Sequence, residues 1–339
     1  LDAGESIAFV VERDGETLAL EAELAKEIPV YRRRYLGLRL KPDTEAGLRI
    51  VAIEPDSPAS SSEFSVGQTI VSCDGEDISS EVQFRRSIAV AELDTPLLLG
   101  VRAHDQQQLE IPLTAATWPM EIPETLPAKA ENEAPDATAE FVDVNVGDFP
   151  NKAYALVPSA ATERSSGLLI IFPEPGNLEQ EKLRSAWGQF AIDYGWIVAV
   201  INSGDPRRWT GEELQLAGRV LGRMKNGYDI APARTAIMGL GVGGRMALMA
   251  ANMQRDKVNA VVVIGTDVRR LRIRGRNSPL QSLDYLLVGN AEPLRQFAES
   301  LTDSGYAAIV TPAVGLEPSK LETHPQQQME RWLEGLARY

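Results

Sequence analysis

The sequence predicts a multidomain chain: a β-rich α+β module, an acidic tether, and a three-layer α/β domain with a mostly parallel sheet. Three observations predict it. From residue 141 onward, short Val/Ile/Leu runs alternate with helical stretches, the pattern of parallel strands covered on both faces. Between residues 28 and 117, apolar strands alternate with Gly-, Asp- and Pro-containing turns around one helix candidate. Between 118 and 140, Pro119, Pro123, Pro127 and Pro135 block regular structure, while Glu121, Glu124, Glu131, Glu133 and Asp136 favour a solvated, semi-extended tether.

Composition narrows the function classes. The 339 residues carry 34 Lys and Arg against 48 Asp and Glu, a net charge of −14, which argues against nonspecific binding to nucleic acid or an anionic membrane. The longest apolar runs, 168–172 and 258–264, are far too short to span a bilayer, so no membrane insertion is expected. Cys73 is the sole cysteine and sits in an apolar strand pattern, which reads as inert core. With His104 and His324 as the only histidines, neither a Cys/His metal site nor a cofactor is expected. The sequence opens on Leu1 with no visible signal segment, and it leaves the compartment open.

Residues 1–27 read as a strand, a polar turn around Asp14-Gly15, and a second alternating strand. The segment 93–113 has the same layout and closes a complete module, so residues 1–27 are expected to be the closing hairpin of a preceding, truncated copy. The alternative is an ordinary hairpin packed on the next domain.

The complete module, 28–117, contains Tyr35-Leu36-Gly37-Leu38-Arg39-Leu40, then 47–53, Ser57-Pro58-Ala59, and the strand 66–73 ending in Asp74-Gly75. A helix over 80–91 and the 93–113 hairpin follow. In this order the motifs resemble a PDZ domain of the bacterial Do-like (high-temperature-requirement) protease type. The resemblance implies an extended peptide added as a strand to a sheet edge. It makes Tyr35, Leu36, Gly37 and Leu38 the loop that receives a terminal carboxylate, with Val82 and Ile88 on the facing helix wall. Arg32, Arg33 and Arg34 would attract the anionic terminus, and Leu40 and Phe84 would be core. Peptide or protein C-termini are the implied partners, and a periplasmic or exported location the implied setting. A groove occluded by the N-terminal hairpin or by the second domain is the alternative.

The segment 141–339 reads as a hairpin (141–146 and 152–157), strands at 167–172, 196–202, 235–239, 258–265, 282–288 and 307–311, and helices at 178–194, 211–224, 243–253, 293–304 and 325–337. This order resembles the α/β-hydrolase fold. Ala236 to Ala247 then reads as the strand, sharp turn and helix of a nucleophile elbow, Gly239-x-Gly241-x-Gly243. Gly241 holds the nucleophile's position and has no side chain to attack a carbonyl. The resemblance makes Glu292 a candidate acid, or else a helix-start glutamate stabilised by the dipole. It places Leu316 at the apparent histidine position and makes His324 a displaced base or a surface group. Glu174, in Pro173-Glu174-Pro175-Gly176, would oppose a developing oxyanion. Ser203 is a conceivable substitute nucleophile, although Ser203-Gly204-Asp205-Pro206 reads as a turn.

Gly239, Gly241 and Gly244 also match a dinucleotide fingerprint, but several strands too late in the domain. The basic run 269–276 reads as a docking loop for an acidic segment, or as a solvated loop or edge strand. The expected function is a noncatalytic scaffold, with a peptide groove and a pseudo-hydrolase docking surface. The alternatives are an active serine hydrolase or esterase with a divergent site, or the C-terminal part of a Do-like serine protease.

Overall fold

The computed structural model describes residues 4–13, 15–25, 30–103, 105, 107–127, 138–162, 165–273, 275–289, 292–312 and 326–339. His104, Leu316 and His324 lie outside these described residues.

The chain opens with the antiparallel hairpin β1 (Ser6–Arg13) and β2 (Glu16–Glu23), a two-stranded sheet of its own. Every residue of β2 is exposed, so this hairpin buries little against the rest of the chain.

The next module contains β3 (Arg34–Tyr35), β4 (Leu38–Pro42), β5 (Leu48–Ile53), β6 (Thr69–Cys73), β7 (Glu76–Asp77), α1 (Glu81–Val90), β8 (Pro96–Arg102), β9 (Gln108–Thr114) and β10 (Ala116–Thr117). Strands β4-β5-β6-β8-β9 form an antiparallel sheet with β7 attached to β6, and β3 pairs with β10. Alternate residues of β8 and β9, among them Leu97, Leu99, Ile111 and Leu113, point inward, as the period-two pattern requires. Ser80 caps α1 by accepting the Gln83 amide, which leaves the Phe84–Ile88 face for the core.

The second domain holds β11 (Ala139–Val144), β12 (Ala153–Pro158), β13 (Ser166–Phe172), α2 (Gln180–Tyr194), β14 (Trp196–Ile201), α3 (Gln215–Gly227), β15 (Ile230–Leu240), α4 (Gly243–Met253), β16 (Ala260–Ile264), β17 (Asp284–Val288), α5 (Glu292–Asp303), β18 (Ala307–Thr311) and α6 (Gln326–Gly335). Its eight strands run in the order β11-β12-β14-β13-β15-β16-β17-β18. The opening hairpin is antiparallel and every pairing from β14 through β18 is parallel. Alternation along β13 explains the three layers. Leu168, Ile170 and Phe172 face the side covered by α3, α4 and α5, while Leu169 and Ile171 face α2 and α6.

Three sequence expectations change here. β15 begins at Ile230, earlier than the run 235–239 suggests, because Pro232 masks a strand start. The described part of the tether is docked rather than solvated. Trp118 is buried edge-on to Tyr35, Ile122 packs on the α2/α6 side, and Arg331 donates to the Glu124 carbonyl. The basic run forms no described strand between β16 and β17. Arg269 there pairs with Asp267 at 2.9 Å.

Candidate functional site

Two regions answer to the sequence expectations: the turn at Gly241 and the edge of β4.

Gly241 lies between β15 and α4 with φ +50°, a left-handed conformation that glycine adopts freely. The neighbouring glycines serve close packing. A Cβ on Gly239 would come within 2.3 Å of the Gly243 carbonyl, and one on Gly243 within 2.2 Å of the Phe172 carbonyl. That need accounts for the glycine run without a phosphate ligand. A Cβ on Gly241 would lie 1.5 Å from Glu174 Oε1. The same oxygen accepts the Val242 amide at 3.3 Å. Glu174 thus occupies the space of a side chain at 241 and takes up the amide of the following residue. Its neighbours Pro173 and Pro175 have no N–H to offer. The Gly176 amide is engaged by Ser203 Oγ at 2.9 Å.

Of the other expected residues, Ser203 and Glu292 are described, and each is engaged locally. Ser203 Oγ donates to the Asp205 carbonyl at 2.8 Å, so it closes its own turn. Glu292 starts α5 and pairs with Arg295 at 3.0 Å, both largely exposed.

The second region is built around Gly37, φ +86°. A Cβ there would fall 2.0 Å from Ser57 Cβ, so only glycine fits. Ser57 is buried and anchors the 54–57 turn through Oγ to the Glu54 carbonyl, 2.6 Å. This support presents the amides of Gly37 and Leu38 to one acceptor, the main-chain oxygen of Tyr339, at 2.5 and 3.0 Å. The Tyr339 amide returns a bond to the Leu38 carbonyl at 2.7 Å, and Arg338 bridges antiparallel to Arg39. The last residues of this sequence therefore extend the sheet edge at β4 as an added strand.

The Tyr339 ring is buried in the module's own core, at 5.9 Å from Phe84 and edge-inclined to it. Its hydroxyl donates to the Glu81 carboxylate. Burial and the Glu81 charge push the phenol well above its ordinary pKa, so it remains a donor. Tyr35, Leu36 and Leu38 are buried, with Leu36, Leu38 and Ile88 in the same cluster. Val82 lines the neighbouring cavity together with Ile88. It is 44% exposed, whereas Glu81, Phe84 and Ile88 share one helix face. Phe84, assigned to the core from sequence, both fills the core and touches Tyr339.

The arginines act differently from expectation. Arg33 pairs with Asp284 of β17, donates to the Leu336 carbonyl at 2.9 Å, and stacks 3.4 Å over Trp118. Arg34 closes the end of α1 through the Ala91 carbonyl, 2.7 Å. Neither contacts the Tyr339 main-chain oxygen by hydrogen bond. The second domain supplies the occupant's anchor. Glu334, buried on α6, accepts from Trp196 Nε1 at 2.5 Å and pairs with Arg234 at 2.6 Å. Its carbonyl accepts from Arg39 at 3.0 Å. Beside the groove, a cavity of about 540 Å³ separates α1 from the second domain, and Arg85, Arg86, Lys225, Arg255 and Lys257 make its lining cationic.

No family model matches the chain, and no curated protein matches it. Among solved structures, it is similar to a dienelactone hydrolase from Anabaena variabilis ATCC 29413, at 18% identity and TM-score 0.39, over 58% of this chain and 96% of that one. It is also similar to a Pyrobaculum calidifontis esterase, at 14% identity and TM-score 0.45, over 61% of this chain and 88% of the other. The HtrA3 PDZ domain bound to a phage-derived ligand matches 26% of this chain and 89% of its own length, at 18% identity and TM-score 0.24. The strand order and the turn at Gly241 decide the architecture independently of these likenesses. The second domain has an α/β-hydrolase-like fold.

Proposed function

We propose that this chain is a noncatalytic binding protein. In this reading residues 28–117 form a PDZ domain that captures chain ends, and the hydrolase-like domain is a docking body. The observation that carries it is the strand addition at β4, with Gly37 and Leu38 amides converging on the main-chain oxygen of Tyr339. Glu174 supports the noncatalytic half, because a fixed carboxylate on the Val242 amide repels the negative charge that acyl transfer develops there. Screening the purified chain against short p-nitrophenyl esters, beside a heat-killed control, is expected to give no turnover. Measurable turnover overturns the reading. A peptide with an aromatic terminal residue and free carboxylate is expected to bind, and its amide much less. Equal binding of the two overturns the groove assignment.

One observation favours a second reading, a hydrolase with a divergent site. The turn keeps its left-handed backbone at Gly241, the geometry that would present a nucleophile. If esters are turned over, Ser203→Ala is the discriminating variant.

A further inference from the structure

We infer that the cavity between α1 and the second domain is a binding site for a small organic anion carrying two or more phosphate charges. The site is distinct from the turn at Gly241 and does not depend on the binding reading above.

Charge concentrates there against the trend of the whole chain. In a protein of net charge −14, Arg85 and Arg86 of α1 face Lys225, Arg255 and Lys257 of the second domain across one cavity of about 540 Å³. Two carboxylates, Asp229 and Asp256, share the lining, and Asp256 already lies 3.8 Å from Lys257 Nζ.

Several of these cations lack a partner within the protein. The acids whose charge reaches Arg85 are engaged elsewhere: Asp284 pairs with Arg33, and Glu81 accepts the Tyr339 hydroxyl and the Ala233 amide. Arg85 instead donates through Nη2 to the neutral Asn259 Oδ1 at 2.6 Å, and Asn259 is itself fixed to the Pro232 carbonyl. That bond orients the guanidinium and leaves its other donors for a ligand. Among the described residues Arg86 has no polar partner, and Lys225 has only the Lys257 carbonyl at 3.5 Å. Burial holds Arg85 and Lys225 below their ordinary pKa values, and the like charges of Arg33 and Lys257 add to it. An anion in the cavity relieves that repulsion.

Size and the rest of the lining give the ligand class. A cavity of this volume takes a small organic molecule. A single carboxylate would leave most of the cluster unneutralised, whereas linked phosphates bring several charges and match the guanidinium fork. Val82 and Leu280, 44% and 68% exposed, lie on the same lining beside Tyr228 and offer apolar surface to an organic body.

The test is calorimetric titration of the whole chain with ATP, inorganic tripolyphosphate and adenosine in metal-free buffer. ATP is expected to bind, tripolyphosphate about tenfold more weakly, and adenosine not measurably. ATP affinity is expected to fall as ionic strength rises. Arg85→Gln is expected to weaken ATP about tenfold, the loss of one charge-assisted hydrogen bond. Because Arg85 also holds Asn259, Arg86→Gln combined with Lys225→Gln, both at exposed positions, serves as a second variant, with a loss at least as large. Lys182→Gln, an exposed cation of α2 outside the cavity, is expected to leave the affinity unchanged.

Absence of ATP and tripolyphosphate binding overturns the site. Binding untouched by the cavity variants, or weakened equally by Lys182→Gln, overturns its location. Adenosine as tight as ATP overturns the role of charge, and tripolyphosphate as tight as ATP overturns the organic body. An oligoglutamate peptide or short single-stranded DNA that binds more tightly than ATP, with the same dependence on the variants, makes the occupant an acidic polymer and overturns the small-anion assignment.

Discussion

Glu174 and Gly241 exclude each other's alternatives: any side chain at 241 would begin 1.5 Å from the Glu174 carboxylate. The expected outcome for Gly241→Ser is therefore twofold. A residue with a side chain at φ +50° costs about 1–2 kcal/mol, read by chemical denaturation. Ester turnover stays at background, because the new side chain pushes the Glu174 carboxylate aside but leaves it beside the turn, where it still opposes a developing oxyanion. Turnover by this single variant would show that the carboxylate does not block the turn.

Gly37→Ala is expected to remove chain-end binding. Its φ of +86° and the 2.0 Å approach to Ser57 Cβ force the loop to move. A stability loss of roughly 2 kcal/mol accompanies at least a tenfold loss of affinity for a peptide with a free carboxylate. Unchanged affinity would place the carboxylate elsewhere.

Glu213 makes the second domain acid-sensitive. Burial alone raises its pKa, but the Gly204 amide at 2.8 Å and the Asn151 and Thr210 donors at 2.5 Å hold it below the ordinary carboxylate value. A depressed folded pKa contributes stability above the unfolded value of about 4.3, and that contribution fades as pH falls through the folded value. Glu213→Gln is expected to cost about 1–2 kcal/mol at pH 7 and progressively less toward pH 3. A pH-independent cost would contradict the role of the charge.

Cys73 is expected to resist alkylation until the module unfolds. It is 2% exposed, and burial pushes its thiol up to about 11. At pH 8 only about one thiol in a thousand is ionised, so reaction with iodoacetamide should follow unfolding rather than thiol chemistry.

Glu334→Ala is expected to be among the more damaging changes in α6. It strands the buried Trp196 indole N–H and the Arg234 guanidinium, at a cost of about 3–5 kcal/mol by thermal denaturation. Glu334→Gln should recover part of it, since an amide oxygen still accepts from both.

Much of the architecture was legible because its causes are local. The runs at 167–172 and 196–202 are uniformly apolar since both sheet faces are covered, and the Gly239–Gly244 run marks a strand meeting a helix. Leu36-Gly37-Leu38 is singled out only by the resemblance of the surrounding motifs to a PDZ domain, since two leucines flanking a glycine read equally as core. What escaped notice was set by distance along the chain. Tyr339 meets Glu81 across 258 positions, and Arg33 meets Asp284 across 251, with no periodicity to announce either. Val82 and Ile88 differ in burial because helix phase turns Phe84 and Ile88 into the core and leaves Val82 at its margin. The docked part of the tether was missed because prolines forbid helices and ladders but not packing, as Trp118 shows.

Ala233 of β15 and Tyr339 both belong to the apolar cluster formed otherwise by the β-rich module. That module completes its interior with atoms borrowed from the second domain, so pulling the two apart leaves a hole in it. Its melting should then coincide with that of the hydrolase-like domain in a single calorimetric transition, and the two should part only when the tail is drawn out.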